Sequence, residues 1–142
     1  MNLELIKRFE GCKLTSYLCP AKVPTIGYGS TRYNDGSPVK IGDKITQVQA
    51  DLLLEQTVQQ YIQAVKTYTK VKLNDNQLSA LVTFCYNVGI KAFKDSTLLL
   101  VINTGGNNEE IKKQFMRWNR GGGKVLDGLT KRREAEYNLY IK

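Results

Sequence analysis

Residues 46–69 constrain the fold of this chain more than any other stretch. Thr46-Gln47-Val48-Gln49 has the pattern of a capping box, in which the Thr hydroxyl and the Gln side chain satisfy each other's free backbone N–H. Val48, Leu52, Val58, Ile62 and Val65 then hold one apolar face over about six helical turns, ending near Tyr68-Thr69. In a chain of 142 residues, a helix of that length reads as a strut joining the segments on either side of it.

The segment before the helix changes character twice. Leu3, Ile6 and Phe9, with Leu5 beside them, form a short apolar helix face over about residues 2–11 that stops at Gly11. Residues 12–45 then read as β. Cys12 to Leu18 alternates, and Thr25-Ile26-Gly27-Tyr28-Gly29 is β-branched, aromatic and glycine-rich. Asn34-Asp35-Gly36 is a hairpin turn signal, with Val39-Lys40-Ile41-Gly42 as the returning strand. Two or three short strands hold too little apolar mass to stand alone.

The rest is helical. Asn74 caps a run with Leu78, Leu81, Val82, Cys85 and Val88, which Gly89 stops. Asp95 or Ser96 starts a segment through Ile102, and Gly105-Gly106 ends it. Asn107-Asn108 opens Glu109–Trp118, Gly121-Gly122-Gly123 is a loop, and Thr130 opens a last helix into Tyr140. The expected fold class is α+β in one domain over residues 1–142. It has a β lobe at about 12–45, an inter-lobe helix at about 46–69, and a helical lobe at about 70–142 on which helix 2–11 packs. A chain this size buries about two thirds of its surface, enough to fold without disulfides or metals.

Composition excludes several chemistries. There is no histidine, which removes Ser-His-Asp triads, Cys-His dyads and the usual zinc sites; no metal and no cofactor is expected. Three cysteines are an odd number and fit no disulfide framework. No apolar run reaches the roughly 18 residues of a membrane span, and the N-terminus has no apolar signal core. Lys and Arg number 21 against 13 Asp and Glu, a net charge of +8 that favours a polyanionic partner. The cations cluster at Lys112-Lys113, Arg117, Arg120, Lys124 and Lys131-Arg132-Arg133; the alternative is a solvated surface that serves solubility.

The chemistry-bearing stretch runs from Phe9-Glu10-Gly11-Cys12 through Tyr17-Leu18-Cys19-Pro20 to Pro24-Thr25-Ile26-Gly27-Tyr28-Gly29. Glu10 ends an apolar helix where helix and β lobe meet. Partial desolvation there raises a carboxyl pKa, as a general acid requires. Cys19 and Thr25 are polar groups on the adjoining strand and turn. Taken alone, these are also ordinary helix-end and strand residues.

In combination they resemble a family. Glu10, Cys19 and Thr25 followed by Ile-Gly-Tyr-Gly are similar to the active-site segment of phage-type lysozymes, the endolysins of glycoside hydrolase family 24. Ala80 to Gly89 resembles that family's central helix. Phe115-Met116-Arg117-Trp118-Asn119-Arg120-Gly121 to Leu129 and Arg132-Arg133-Glu134-Ala135-Glu136 resemble its C-terminal signature. The resemblance implies a lysozyme-like α+β fold with a cleft between the lobes. It also implies cleavage of peptidoglycan between N-acetylmuramic acid and N-acetylglucosamine, for host cell lysis. By carry-over, Glu10 is the general acid and Thr25 positions water or stabilises the reacting face. Cys19 takes the second catalytic position, where much of the family has Asp. Glycoside hydrolysis normally uses two carboxylates; a thiolate can supply the charge or the base if its pKa is depressed, and base versus nucleophile stays open. Ser30 stands where many members have His, with Ser30-Thr31 expected to bond the turn.

The candidate substrate-binding residues are Tyr28, Asn119, Arg120, Gly122 and Arg132. Arg132 is expected near Glu10, against the alternative of a surface charge. Asn119 to Gly123 is a close-approach loop or a tight interhelical turn. Trp118 is expected in the core rather than on a sugar, and Cys85 is expected as plain core. Cys12 and Cys19 form a candidate regulatory disulfide, the alternative being that Cys12 is a small half-buried residue. Three other functions compete with muramidase: a basic nucleic-acid binder, an inactive envelope-binding module, and a transglycosylase in which the muramic 6-hydroxyl replaces water. The muramidase reading expects peptidoglycan glycan strands as partner, no nucleic acid, no stable membrane insertion and a monomer. With Met1 nine residues before Glu10, it expects synthesis in the host bacterial cytoplasm and release to the periplasmic wall by a membrane-permeabilising partner.

Overall fold

A computed structural model describes residues 1–142. The backbone forms two units: Ile6–Gln60, called here the N-terminal unit, and Met1–Leu5 with Tyr61–Lys142, the helical unit. The division falls inside the first helix and inside the long one.

In the N-terminal unit, α1 (Glu4–Glu10) ends at Gly11, whose φ of 68° lets its N–H return to the Lys7 carbonyl at 3.0 Å. β1 (Lys13–Leu18) and β2 (Pro24–Gly27) pair antiparallel with Tyr17 opposite Thr25 and Leu18 opposite Pro24; the register shifts between Lys13 and Tyr17. Asn34-Asp35-Gly36 turns as expected, with the Tyr33 N–H on the Ser37 carbonyl at 2.9 Å. The returning strand at Val39–Gly42 does not form. Arg32 and Pro38 make an isolated bridge, and residues 40–43 curl into a turn in which the Lys40 N–H donates to Asp43 Oδ2 at 2.9 Å. Pro38 has no N–H to extend a ladder, and the Asp43 side chain offers the backbone a competing partner. Ile26, Val39 and Leu53 are the core here, with Tyr33 and Ile45 against them.

α2 (Gln47–Tyr68) starts with the expected box: the Gln49 N–H donates to Thr46 Oγ1 at 3.1 Å, and the Thr46 N–H to Gln49 Oε1 at 2.8 Å. Its covered face differs from the expected one. Val58 and Val65 are buried, but Val48 and Leu52 are 68% and 50% exposed. Ala50, Leu54 and Val58 repeat every four residues and take the inner side with Leu53. Val48 and Leu52 lie two residues off that stripe, on the other face.

In the helical unit, Asn74 and Gln77 form a second capping box on α3 (Asp75–Val88), and Ser79 to Cys85 are buried without a break. A helix covered all round is a central one. Gly89 ends it, and α4 (Ile90–Lys94), which the sequence pattern does not mark, comes immediately after and buries Phe93. Ser96 caps α5 (Thr97–Asn103) and Asn107 caps α6 (Asn108–Met116). The triple glycine is not a plain loop. Gly122 and Gly123, at φ 59° and 79°, form the two-residue turn of a small hairpin, β3 (Arg120–Gly121) against β4 (Lys124–Val125). α7 (Asp127–Tyr140) begins three residues before Thr130. Its N-cap, Leu126, carries no capping side chain, and the Thr130 hydroxyl turns back to the Leu126 carbonyl at 3.3 Å, as inside a helix.

The aromatic core of this unit centres on Phe84, which meets Phe93, Phe115 and Trp118 edge-on at centroid distances of 6.3, 5.7 and 5.5 Å. An ion cluster is buried beside it. Glu136 and Arg133 are fully buried and Arg132 is 4% exposed. Glu136 Oε2 accepts from Arg133 Nη2 at 3.0 Å and from Arg132 Nε at 3.3 Å. Arg133 Nε lies 2.8 Å from Glu136 Oε1 as an ion pair without hydrogen-bond alignment. Burial pushes the Glu136 carboxyl up to about 7 even against two guanidiniums.

Removing one partner of a buried charge cluster leaves the others uncompensated, at a cost of about 3–5 kcal/mol. Glu136→Ala is therefore expected to lower unfolding free energy by about that amount, read by denaturant titration. A loss below about 1 kcal/mol would show that the arginines are solvated without it.

Candidate active site

Glu10 is the last residue of α1 and is half-buried. Gly29, at φ 94°, passes so close that a Cβ added there would lie 3.4 Å from Glu10 Oε2. The turn after β2 thus meets the carboxylate with bare backbone. That turn is held from behind. Tyr28, 6% exposed, donates its hydroxyl to Asp51 Oδ1 at 2.8 Å, and the same oxygen accepts from Gln47 Nε2 at 3.1 Å and faces Lys7 Nζ at 3.8 Å. The Tyr28 hydroxyl, with help from Gln47 and Lys7, holds the Asp51 carboxyl below its usual value against partial desolvation. Burial and the Asp51 bond push the Tyr28 phenol up to about 12. The buried Tyr28 ring and its bonded hydroxyl support the Gly29 turn, because a buried phenol needs a fixed partner.

Cys19 comes directly after β1 and opens the turn to β2: its N–H donates to the Val23 carbonyl at 3.1 Å, and the Lys22 N–H returns to its own carbonyl at 2.8 Å. This turn favours the thiolate. The Val23 amide does most to lower the Cys19 pKa, against a desolvation that raises it; the Thr25 hydroxyl and the Ala21 and Cys19 amides add to the lowering. Thr25, 3% exposed, also donates to the Val23 carbonyl at 2.8 Å. The lowering comes from backbone amides and a hydroxyl rather than from nearby cations. Ser30 exchanges both backbone bonds with Ile26 at 2.9 Å, closing the Gly27-Tyr28-Gly29 turn.

The expected Cys12–Cys19 disulfide does not fit this fold. All three cysteines are free. Cys12 and Cys19 flank opposite ends of the six-residue β1. β1 bulges between Lys13 and Tyr17, but its ends still face Gly27 and Pro24, three residues apart on β2, which at about 3.3 Å per residue separates them by at least roughly 10 Å, whereas a disulfide needs Cα atoms within about 7 Å. The expectation took the segment between them as a turn; it is a strand. Cys12 Sγ instead accepts from Gln47 Nε2 at 3.7 Å. Cys85 is fully buried, and burial alone pushes its thiol up to about 12, as befits plain core.

The other four candidate residues lie in the helical unit. Asn119 is latched to the base of the hairpin: its Nδ2 donates to Thr130 Oγ1 at 3.2 Å, and its carbonyl accepts from the Leu126 N–H at 2.9 Å. Arg120 is exposed, and Gly122 stands at the hairpin tip with no atom within 4 Å of an added Cβ. Arg132 is no surface charge, being held by Glu136 and by the Thr83 carbonyl at 3.4 Å. Trp118 is half-buried against Phe84. Two residues with a part in the N-terminal arrangement were missed. Asp51 carries no local signal. Tyr17, two residues before Cys19, could have been found from strand alternation.

Known proteins share this pattern. The family model described as Phage lysozyme matches residues 7–136. The chain is 41% identical over 142 residues to an endolysin of Bacillus phage B103; the match covers 99% of this chain and 52% of that protein, so the chain spans about half the length of that relative. It superposes on the endolysin from Escherichia coli O157:H7 phage FAHEc1 with a TM-score of 0.89 at 40% identity, covering 99% of this chain and 90% of that one. For the muramidase domain of SpmX from Asticaccaulis excentricus the TM-score is 0.87 at 33% identity, covering 99% and 94%. With its site segment, its fold and its relatives in agreement, the chain belongs to the phage lysozyme family.

Proposed function

We propose that this chain is a muramidase that hydrolyses the bond between N-acetylmuramic acid and N-acetylglucosamine in bacterial peptidoglycan, as an endolysin. The observation that carries the reading is the β1–β2 pair, whose closing turn holds Cys19 next to the strand that bears Thr25 while the turn after β2 brings Gly29 up to the Glu10 carboxylate. Family membership and the solved muramidase domain support it. Glu10 protonates the leaving glycosidic oxygen. The Cys19 thiolate faces the oxocarbenium-like transition state, either attacking the anomeric carbon or taking a proton from the attacking water. Thr25 orients that water or the reacting face. Asn119, Arg120, Gly122 and Arg132 serve glycan binding.

No helix is long and apolar enough to cross a membrane. The protein works as a monomer on glycan strands, with no nucleic-acid partner and no stable membrane insertion. It is made in the host cytoplasm and reaches the periplasmic wall through a permeabilised membrane.

General acid catalysis is worth about 10²–10⁴-fold, so Glu10→Gln is expected to abolish lysis of outer-membrane-stripped cells while circular dichroism stays unchanged. Near wild-type lysis by that variant would end the enzyme assignment. Product analysis separates hydrolysis from transglycosylation: a reducing muramic acid end is expected, not a 1,6-anhydro end.

The thiol generates a second expectation. A hydroxyl is neutral at pH 7, so Cys19→Ser is expected to be nearly inactive, while Cys19→Asp keeps substantial activity. The sign of the pH effect is fixed by which form works. In the wild type kcat/KM rises with pH as the thiol, lowered by its amide partners, ionises. In Cys19→Asp that rise moves to lower pH, because a carboxyl ionises near about pH 4. Full activity of Cys19→Ser would leave Glu10 to work alone.

The net charge of +8 meets a polyanionic wall, and exposed charges are screened over about 8 Å at physiological ionic strength. Turnover of insoluble wall is expected to fall steeply as salt is added. A salt-independent rate would remove electrostatic docking from the account.

A further inference from the structure

Tyr17 lies inside the chemistry-bearing stretch without a role of its own, and the register of β1 and β2 sets it among the residues that have one. Cys19 is the first residue after β1 and continues its pairing through its N–H on the Val23 carbonyl, so at two residues from Tyr17 it continues the alternation that sets both on one side. Directly opposed residues of an antiparallel pair also share a face, and the partner of Tyr17 is Thr25. The ladder holds this alignment through the turn, with Leu18 opposite Pro24 and the Cys19 N–H on the Val23 carbonyl. Tyr17 is also 37% exposed, unlike Tyr28 at 6%, and its hydroxyl has no hydrogen-bond partner within the protein.

We propose that Tyr17 is a further catalytic residue of this site, its phenol hydroxyl donating to the N-acetylhexosamine whose anomeric carbon reacts and holding that sugar against Cys19 and Thr25. The inference rests on the muramidase reading and adds a contact to it. A phenol suits this place for two reasons. Its ring offers a pyranose face an apolar platform at small conformational cost, and its hydroxyl must remain a donor beside a carboxylic acid that gives up its proton and a thiolate. Partial burial, then the charge of Glu10, then that of Cys19, raise the phenol pKa above its usual value. The proton therefore stays on Tyr17 across the range in which Glu10 and Cys19 operate. The hydroxyl neither gives up nor takes a proton in the reaction; it binds and orients.

The test uses the full chain as wild type, Tyr17→Phe and Tyr17→Ala, with soluble peptidoglycan fragments as substrate. Loss of one hydroxyl that orients the reacting sugar is expected to lower kcat about tenfold in Tyr17→Phe with KM within about twofold. Tyr17→Ala also loses the platform and raises KM. Because Tyr17 is at the surface, both variants are expected to melt at the wild-type temperature. A second readout does not depend on activity. With ring-labelled tyrosine, the Tyr17 phenol is expected to titrate above the usual value in wild type, and Glu10→Gln and Cys19→Ser should each bring it down. A titration unmoved by either variant overturns the juxtaposition. A Tyr17→Phe enzyme as fast as wild type overturns the role. Failure of wild type itself to release reducing muramic acid ends is a different outcome: it defeats the muramidase reading, and the proposed contact with it.

Discussion

The helical unit depends on one carboxylate. Glu136 is the acid in a buried cluster with two guanidiniums, and each arginine reaches a different part of the structure. Arg132 extends to the Thr83 carbonyl on α3. Arg133 reaches Asn87 at 2.8 Å and the Trp118 carbonyl at 3.4 Å, and its guanidinium carbon stands 5.0 Å from the Phe84 ring centre. Ion clusters of this kind add little net stability beside an apolar packing of the same volume. Their effect is positional: hydrogen-bond forks of fixed geometry set the rotation of α7 against α3, where the aromatic contacts alone tolerate several arrangements. The Trp118 carbonyl lies one residue before Asn119, so the start of the hairpin is placed by a charge on the last helix.

Asp51 has the corresponding place in the N-terminal unit, with different energetics. Its oxygen gathers Tyr28 from the turn, Gln47 from the first turn of α2 and Lys7 from α1. Lys7 and Asp51 are each about a third exposed, at 34% and 37%, so solvent screens the charge term and the pair contributes little by itself. The Tyr28 bond differs because its donor is buried, and a buried phenol without a partner is costly. That bond fixes the backbone of Gly29, the residue that touches the Glu10 carboxylate. Both units thus place a site residue through a buried donor on the neighbouring chain segment, one link away from the chemistry.

What was legible in the sequence was what is local. Thr46-Gln49 and Asn74-Gln77 are caps because the partners stand three residues apart, and no tertiary contact is needed to make them. Glu10, Cys19 and Thr25 were found through a motif, which is also local. Errors came where a distant partner decides. Val48 and Leu52 are apolar and helical, but which side of α2 is covered is set by what packs on Ala50, Leu54 and Val58. α4 is five residues long and too short to show a period. The Cys12–Cys19 bridge failed because sequence separation was taken for distance, whereas a strand spends nearly its full length between its ends.

In the proposed mechanism a thiol takes the second catalytic position, which makes the turn around it part of the chemistry. A solvent-exposed aspartate carboxyl is ionised at neutral pH, while a free thiol is ionised only to a few per cent. For Cys19 the difference must come from donors aimed at sulfur, and the Val23 amide is the chief one. Amides in a closed turn need no reorientation when charge appears, which is why fixed backbone dipoles stabilise anions better than water does at a reacting centre. The turn bears a cost for this shape: Lys22 stands at φ 61°, the one residue other than glycine in the left-handed region, a conformation that costs a side chain about 1–2 kcal/mol. Its N–H closes on the Cys19 carbonyl, and the next residue supplies the amide that favours the thiolate. The same turn carries the pairing of β1 with β2 that opposes Tyr17 to Thr25. The lowering of the Cys19 pKa is in this way a property of the strand pair and its connection as much as of the sulfur.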